Sequence, residues 1–208
     1  MTRRDFYASV IIGALVGLLA QPIMLNVVAA YHIRLTYLLR LAVFLGFTLL
    51  APFALFILSI IGEYIPVVYQ FGKFAAVGAL NTFVDFGVLN LEIVSFGTPA
   101  AWPYRIFKSI SFLVATTNSF FWNKFWTFEA REPATTEETV KFYGVAFVGF
   151  VLDVAVASLV FSAVTRPASL TVNLWANAGA LVGVAVSFLW DFLGYKFFVF
   201  KKKKMLAA

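Results

Sequence analysis

The chain has 208 residues, of which 62% are hydrophobic and 12% charged, and its formal net charge is +6. Soluble domains carry roughly 25% charged residues, so this composition excludes a water-soluble protein and indicates membrane-spanning helices. The absence of cysteine excludes a thiolate or disulfide site, and a single histidine excludes a multi-histidine metal centre. We therefore expect neither a metal nor a cofactor. Much of the positive charge lies in Lys201–Lys204 beside a span, where it faces anionic membrane lipids and does not indicate nucleic-acid binding.

Six runs with few or no charges are long enough to cross about 30 Å of hydrocarbon at 1.5 Å per residue. The predicted spans are approximately 6–31, 38–62, 74–96, 106–128, 142–164 and 170–200. A polar connector, 129–141, separates the fourth span from the fifth. The fold class is therefore predicted to be all-α integral membrane, with six transmembrane helices.

The last four spans contain an internal repeat, which we interpret as two related halves, 73–128 and 141–200. The stretches KFAAVGALNTFVD at 73–85 and KFYGVAFVGFVLD at 141–153 share Lys, Phe, Val and Asp at matching positions, 68 residues apart. The stretches SFFWN at 119–123 and SFLWD at 187–191 have the same offset, which pairs Asn123 with Asp191. Because each half holds two spans, the halves are predicted to be parallel helical hairpins.

Six spans place both termini on one side of the membrane, and the positive charges indicate which side it is. One side carries Arg3, Arg4, Lys73, Lys124, Arg131, Lys141, Lys196 and Lys201–Lys204, and the other carries Arg34, Arg40, Arg105, Lys108 and Arg166. Lysine and arginine are enriched in cytoplasmic loops. We therefore expect a multi-pass protein of the cytoplasmic (inner) membrane with both termini in the cytoplasm.

Three carboxylates interrupt the spans: Asp85, Asp153 and Asp191. A charge at the centre of a span costs about 2.5 to 3.5 kcal/mol, so these side chains are expected to point inward. Asp85 and Asp153 lie about 16 Å beyond the phenylalanine that opens each span, close to the middle of the bilayer. Polar side chains at similar depth extend this set to a predicted polar seam: Asn81, Thr116, Thr117, Asn118 and Asn123. Alternatively, these groups only hydrogen-bond between helices and hold the bundle together.

Four lysines form a predicted ring on the cytoplasmic side. Lys73 and Lys141 open the two repeats, and Lys124 and Lys196 lie near their ends. One interpretation is that these lysines set topology and extend to the headgroups. The other is a phosphate site, in which the ammonium groups act beside helix N-termini whose free amides also favour anions.

Several motifs resemble the GtrA-like family of small membrane proteins: KFAAVGALNT at 73–82, NSFFWNKFWTF at 118–128 and YKFFVF at 195–200. The resemblance covers about residues 70–201 and leaves the first two spans outside the family unit. It implies a four-helix unit with cytoplasmic ends and a role in cell-surface polysaccharide synthesis. By this resemblance Lys73, Asn81, Asn118, Asn123 and Lys124 are motif positions. The family often has Asn where Asp85 and Asp153 stand.

The predicted domains are 1–66, with two additional helices, and 67–204, the GtrA-like unit with a basic tail. We expect a non-catalytic protein that translocates a polyprenyl-phosphate-linked monosaccharide, with the phosphate at the lysines and the sugar along the seam. The alternative is a non-catalytic membrane anchor for a partner polyprenyl-phosphate glycosyltransferase. An intramembrane hydrolase, a third hypothesis, needs two carboxylates that share a proton. We also expect a homodimer, because a unit of four helices is small for enclosing the bulky headgroup of a lipid-linked sugar.

Overall fold

The computed structural model describes residues 1–30, 36–96, 101–165, 167 and 172–201. Within these ranges the chain is helical and contains no β-strand, so the predicted all-α class is confirmed. Lys202–Lys204 of the predicted basic tail, Arg34, Arg166 and the predicted start of the sixth span at Leu170 lie outside the described residues.

Six α-helices follow one another along the described chain. They are α1 (Arg3–Ala30), α2 (Tyr37–Tyr64), α3 (Pro66–Phe96), α4 (Ala101–Trp122), α5 (Thr136–Ala163) and α6 (Val172–Gly194). Two of them continue into short π-helices: α4 into π1 (Asn123–Thr127) and α6 into π2 (Tyr195–Val199).

Five helical stretches in the described chain are long and apolar enough to cross a membrane. They are Arg3–Met24, Tyr37–Tyr64, Pro66–Ile93, Thr136–Ala163 and Ala178–Val199. Helix α4, which was predicted as a span, is not among them, because Arg105, Lys108 and the polar run 116–118 lower its hydropathy. The protein is therefore a multi-pass membrane protein.

Helices α3 and α5 begin earlier than the apolar runs predict, at Pro66 and Thr136 instead of Phe74 and Phe142. Proline is favoured at the first helical position, because its missing N–H has no partner there in any case. At α5, Thr135 and Glu138 form a capping box, in which the Thr135 hydroxyl accepts from the Glu138 amide at 3.2 Å. Capping thus extends α5 into the polar connector, of which only 129–135 is left outside the helix.

The chain divides into two compact units, Met1–Glu129 and Ala130–Ala208. The domain boundary between 66 and 67 stays a prediction. In unit 1, α1 packs on α2 and α3, α2 packs on α3, and α3 packs on α4. Its buried core draws on α1, α2, α3 and π1. The core residues are Ile12, Val16, Leu55, Val77, Leu80 and Trp126.

Unit 2 is an antiparallel pair formed by α5 and α6, with π2 packed back on α5. Phe142 of α5 stacks on Tyr195 at 4.2 Å and contacts the ring of Phe200 at 6.1 Å. Unit 1 contains the same kind of contact, because the rings of Phe74 and Phe128 lie 6.4 Å apart.

The two π-helices change the register of the predicted repeat. The amide of Phe128 donates to Asn123 at 2.9 Å, and that of Phe200 donates to Tyr195 at 2.8 Å. By position in these turns Asn123 corresponds to Tyr195, an offset of 72 residues, and not to Asp191. This offset exceeds the predicted offset of 68 by four residues, which is about one helical turn. The residue that corresponds to Asn123 therefore lies one turn further along the chain, on nearly the same face of the helix.

Candidate functional site

A buried ion pair joins the beginning of the chain to α3. The Lys73 Nζ lies 2.6 Å from the Asp5 Oδ1, and the two side chains are 6% and 4% exposed. The Trp126 Nε1 donates to the same Asp5 oxygen at 3.0 Å, and the Thr2 hydroxyl donates to Asp5 Oδ2 at 2.7 Å. Glu129 lies 3.4 Å from the Lys73 Nζ. We call Asp5, Lys73, Trp126 and Glu129 the Asp5 cluster, in which the charge of Lys73 is balanced by carboxylates.

Sequence reasoning missed Asp5 and placed Glu129 in a solvated connector. Asp5 precedes the first apolar run and looks like a flanking residue, although a carboxylate in the first turn of a helix was a usable signal. Glu129 has a φ of 54°, in the left-handed region that non-glycine residues rarely adopt. This conformation ends π1 at the point from which the Glu129 carboxylate reaches Lys73.

The predicted placement of Lys73 and Lys141 beside helix N-termini is wrong. Lys73 is the eighth residue of α3 and Lys141 the sixth of α5, so they lie about 10 Å and 8 Å along their helices. The free amides of a helix belong to its first turn. Lys141 instead contacts Glu137 on its own helix at 2.5 Å, in an exposed pair.

Lys124 and Lys196 each occupy the second position of a π-helix and lie against aromatic rings. The Lys124 side chain is fully buried, and its Nζ lies 5.8 Å from the centre of the Phe125 ring. The Lys196 Nζ lies 5.5 Å from Phe192 and 5.7 Å from Phe197. Both arrangements are within the range of cation–π attraction.

The predicted meeting of Asn81 and Asn118 is present in unit 1. The Asn118 amide donates to the Asn81 side-chain oxygen at 2.7 Å. One turn further along α3, Asp85 accepts from the Ser111 hydroxyl at 2.6 Å and forms an ion pair with Lys108. Helix α3 begins at Pro66, so its midpoint is Asn81. Asp85 lies about 6 Å further along the helix, in the half that ends at Phe96.

These contacts belong to a row of polar pairs between α3 and the α4–π1 segment, which we call the polar ladder. Its three rungs are Gln70 to the Thr127 carbonyl at 3.3 Å, Asn81 with Asn118, and Asp85 with Ser111. From Gln70 to Asp85 the helix rises about 22 Å, most of the thickness of the hydrocarbon. Of the seam predicted from sequence, Asn81, Asp85 and Asn118 take part in this ladder and bond across one helix pair. Thr116 and Thr117 donate to carbonyl oxygens of their own helix.

Asn123 does not take part in the ladder. Its amide nitrogen donates to Ser119 on the preceding turn at 3.1 Å, and the side chain is 1% exposed. Its side-chain oxygen is buried without a hydrogen-bond partner among the described residues.

Asp153 and Asp191 both lie at the contact between α5 and α6 in unit 2, whereas Asp85 belongs to unit 1. Asp191 packs on Gly149 and Asp153 packs on Gly183, so that each carboxylate lies over a glycine of the other helix. A methyl group added at Gly183 would overlap the Asp153 carboxylate and lie 2.5 Å from its backbone oxygen. These two glycines therefore make room for the carboxylates and allow close helix approach.

Unit 1 also contains a cavity of about 280 Å³ between α1 and the α4–π1 segment, which we call the Arg4 cavity. Its lining residues are Arg4, Ala8, Asn118, Phe121, Trp122, Phe125 and Trp126. The Arg4 guanidinium donates to the backbone oxygen of Phe125. Asn118 is shared between the cavity and the polar ladder. The described residues contain no group of three or more His, Cys, Asp or Glu side chains that could hold a metal ion.

Comparisons with known proteins agree with this architecture. Residues 73–200 match the sequence model of the family described as GtrA/DPMS, transmembrane domain. The chain is 27% identical over 135 residues to the uncharacterized membrane protein YngA of Bacillus subtilis (strain 168), covering 62% of this chain and 78% of that protein. No solved structure matches the chain significantly. Since the family match covers more than half of the residues, this multi-pass membrane protein belongs to the GtrA/DPMS transmembrane-domain family.

Proposed function

We propose that this protein translocates the headgroup of a polyprenyl-phosphate-linked monosaccharide across the cytoplasmic membrane, for cell-surface polysaccharide synthesis or glycosylation. The observation that carries the proposal is the position of Asn118, which lines the Arg4 cavity and also forms the central rung of the polar ladder. A headgroup in the cavity therefore contacts Asn118, whose bond to Asn81 leads to the Asp85 rung one turn further along α3.

The physical need for such a row is the cost of moving sugar hydroxyls through hydrocarbon. An uncompensated hydroxyl in an apolar medium costs several kcal/mol. Asn81 and Asn118 each retain donor or acceptor capacity beyond their mutual bond, because an amide side chain has two donors and two acceptor lone pairs. The ladder can exchange its internal bonds for bonds to the sugar while the polyprenyl chain stays in lipid. No covalent step is part of this function.

The topology that accompanies this function uses α4 as a sixth span. Two of the polar residues that lower its mean hydropathy, Lys108 and Asn118, bond to side chains of α3 within unit 1. With six spans both termini lie in the cytoplasm, in agreement with the distribution of lysine and arginine. The repeated aromatic ends at π1 and π2 favour two parallel hairpins in the family unit.

A transport assay in vesicles tests the proposal. The full chain is reconstituted, and uptake of radiolabelled farnesyl-phosphoryl glucose, galactose and mannose is measured. We expect uptake of at least one analogue well above protein-free vesicles, and a drop of at least tenfold in Asn81→Leu and Asn118→Leu. The matched control is Thr82→Val, since Thr82 is exposed and bonds only to Gly78 of its own helix. Chromatographic profile and thermal midpoint establish that each variant is folded.

Two results would overturn the translocation mechanism: no uptake above protein-free vesicles for any analogue, or equal uptake by the wild type and both asparagine variants. A non-catalytic anchor for a glycosyltransferase is the second candidate, and the mutual bonding of all three rungs favours it. That function predicts no uptake, together with faster sugar transfer by a co-reconstituted polyprenyl-phosphate glycosyltransferase.

A further inference from the structure

The Arg4 cavity combines one cation, one amide and several aromatic rings in a small volume. Its volume of about 280 Å³ lies at the lower end of ligand pockets, which range from roughly 300 to 1,000 Å³. This size suits a phosphate group or a single sugar ring. Pockets of this composition bind through apolar walls and a few polar groups that fix orientation.

The charge of Arg4 remains available in this cavity. The neighbouring carboxylate of Asp5 faces Lys73 and Trp126, and no ion pair to Arg4 is formed within the described part of the chain. The guanidinium has five N–H donors in a rigid fork, of which the bond to the Phe125 carbonyl uses one. A planar fork with free donors is well suited to bind phosphate oxygens. The Asp5 cluster thus keeps a carboxylate away from Arg4.

The remaining walls fit the other part of such a headgroup. Trp122 and Trp126 pack edge to face at 5.8 Å, and Phe121 stacks on Phe125 at 6.3 Å. They form flat apolar surfaces beside the amide of Asn118. That amide donates to Asn81 and keeps its own oxygen for a ligand hydroxyl.

We propose that the Arg4 cavity binds the phosphate ester at the head of a lipid, with Arg4 of α1 as the phosphate-binding cation. Arg4 lies outside residues 73–200, which match the family, so helix α1 of this chain completes a site on the family unit. None of the four lysines expected from sequence is needed for it. The ligand class rests on the proposed function, whereas the phosphate site follows from the Arg4 geometry.

A binding experiment tests this site separately from transport. The full chain is placed in phosphatidylcholine nanodiscs, and binding of tritiated farnesyl phosphate is measured at equilibrium. Arg4→Gln removes the charge but keeps a donor for the Phe125 carbonyl, and Arg4→Lys is a second charged variant. Arg3→Ala is the matched control, because Arg3 is the adjacent exposed cation and does not line the cavity. We expect the Kd to rise at least tenfold in Arg4→Gln, less in Arg4→Lys, and less than twofold in Arg3→Ala.

Competitors distinguish the source of the phosphate. Farnesol should compete at least tenfold more weakly than unlabelled farnesyl phosphate, and millimolar inorganic phosphate should not displace the ligand. Equal affinity of the wild type and Arg4→Gln, or equal competition by farnesol, would overturn the site. Displacement by inorganic phosphate, or by phosphatidylglycerol in the nanodisc, would overturn its assignment to this lipid class. Arg4-dependent binding without vesicle uptake would leave the site standing and would refute translocation alone.

Discussion

The buried ion pair between Lys73 and Asp5 allows a quantitative test of how α1 is attached to α3. Breaking a buried pair by removing one partner costs about 3 to 5 kcal/mol, because it leaves an uncompensated buried charge. Lys73→Met leaves the Asp5 carboxylate without its cation, so we expect a loss of about 3 to 5 kcal/mol in the free energy of unfolding. Asp5→Asn leaves Lys73 with Glu129 at 3.4 Å and keeps an acceptor for Trp126, so we expect a smaller loss of about 2 kcal/mol.

The assay is the free energy of unfolding in mixed micelles, measured by titration with sodium dodecyl sulfate for both single variants and the double variant. Removing both charges leaves neither unpaired, so the double variant should be at least as stable as Lys73→Met. The control is Lys141→Met, which breaks an exposed pair on one helix and should cost only about 0.5 kcal/mol. Losses that simply add in the double variant would show that Lys73 and Asp5 do not interact, and the reasoning would fail.

Three further predictions concern packing, the ladder and a helix cap, each measured by the same unfolding titration. Gly183→Ala should destabilise unit 2 by about 1 to 3 kcal/mol, because the added methyl group overlaps the Asp153 backbone. Gly144 has open space around it, so Gly144→Ala should stabilise the unit by up to about 1 kcal/mol. Equal effects of the two substitutions would contradict the close approach of α5 and α6 at Gly183. Lys108→Met should lower the free energy of unfolding by about 1 kcal/mol more than Asp85→Asn, because only Lys108→Met leaves a carboxylate in the span without a cation. A larger loss in Asp85→Asn would exclude a charged pair. Thr135→Ala should lower the free energy of unfolding by about 1 kcal/mol, because it removes the N-terminal cap of α5. An unchanged midpoint of the unfolding titration would contradict that cap.

The N-terminal helices are part of the site in unit 1, although the family match begins only at residue 73. Asp5 balances Lys73, and Arg4 supplies the charge of the cavity. Lys73, which resembles an anion-binding residue of the family motif, is therefore paired with Asp5 in this chain. The cation that lines the Arg4 cavity is an arginine of a different helix, α1. Both contacts come from α1, which packs on α3.

Part of the site could be predicted because it depends on spacing within one helix pair. Asn81 and Asn118 were expected at a similar depth and do meet, and Asp85 was expected to point inward and does bond to α4. Asp85 lies beyond the midpoint of α3, because the helix begins eight residues before the apolar run. Polar first turns are helical through capping and proline geometry, which a hydropathy pattern does not detect.

Local composition was sufficient to predict a helical membrane protein, because the free energy of burying a segment in lipid depends on the segment's own side chains and backbone. The partners of charged residues depended on tertiary packing. Lys73 meets Asp5 across 68 positions of sequence, and Asp191 lies over Gly149 across 42, so both contacts depend on which helices are neighbours. The hydrogen bonds of π1 and π2 relate Asn123 to Tyr195, whereas the apolar pattern also fits Asp191, since one inserted turn leaves that pattern almost unchanged.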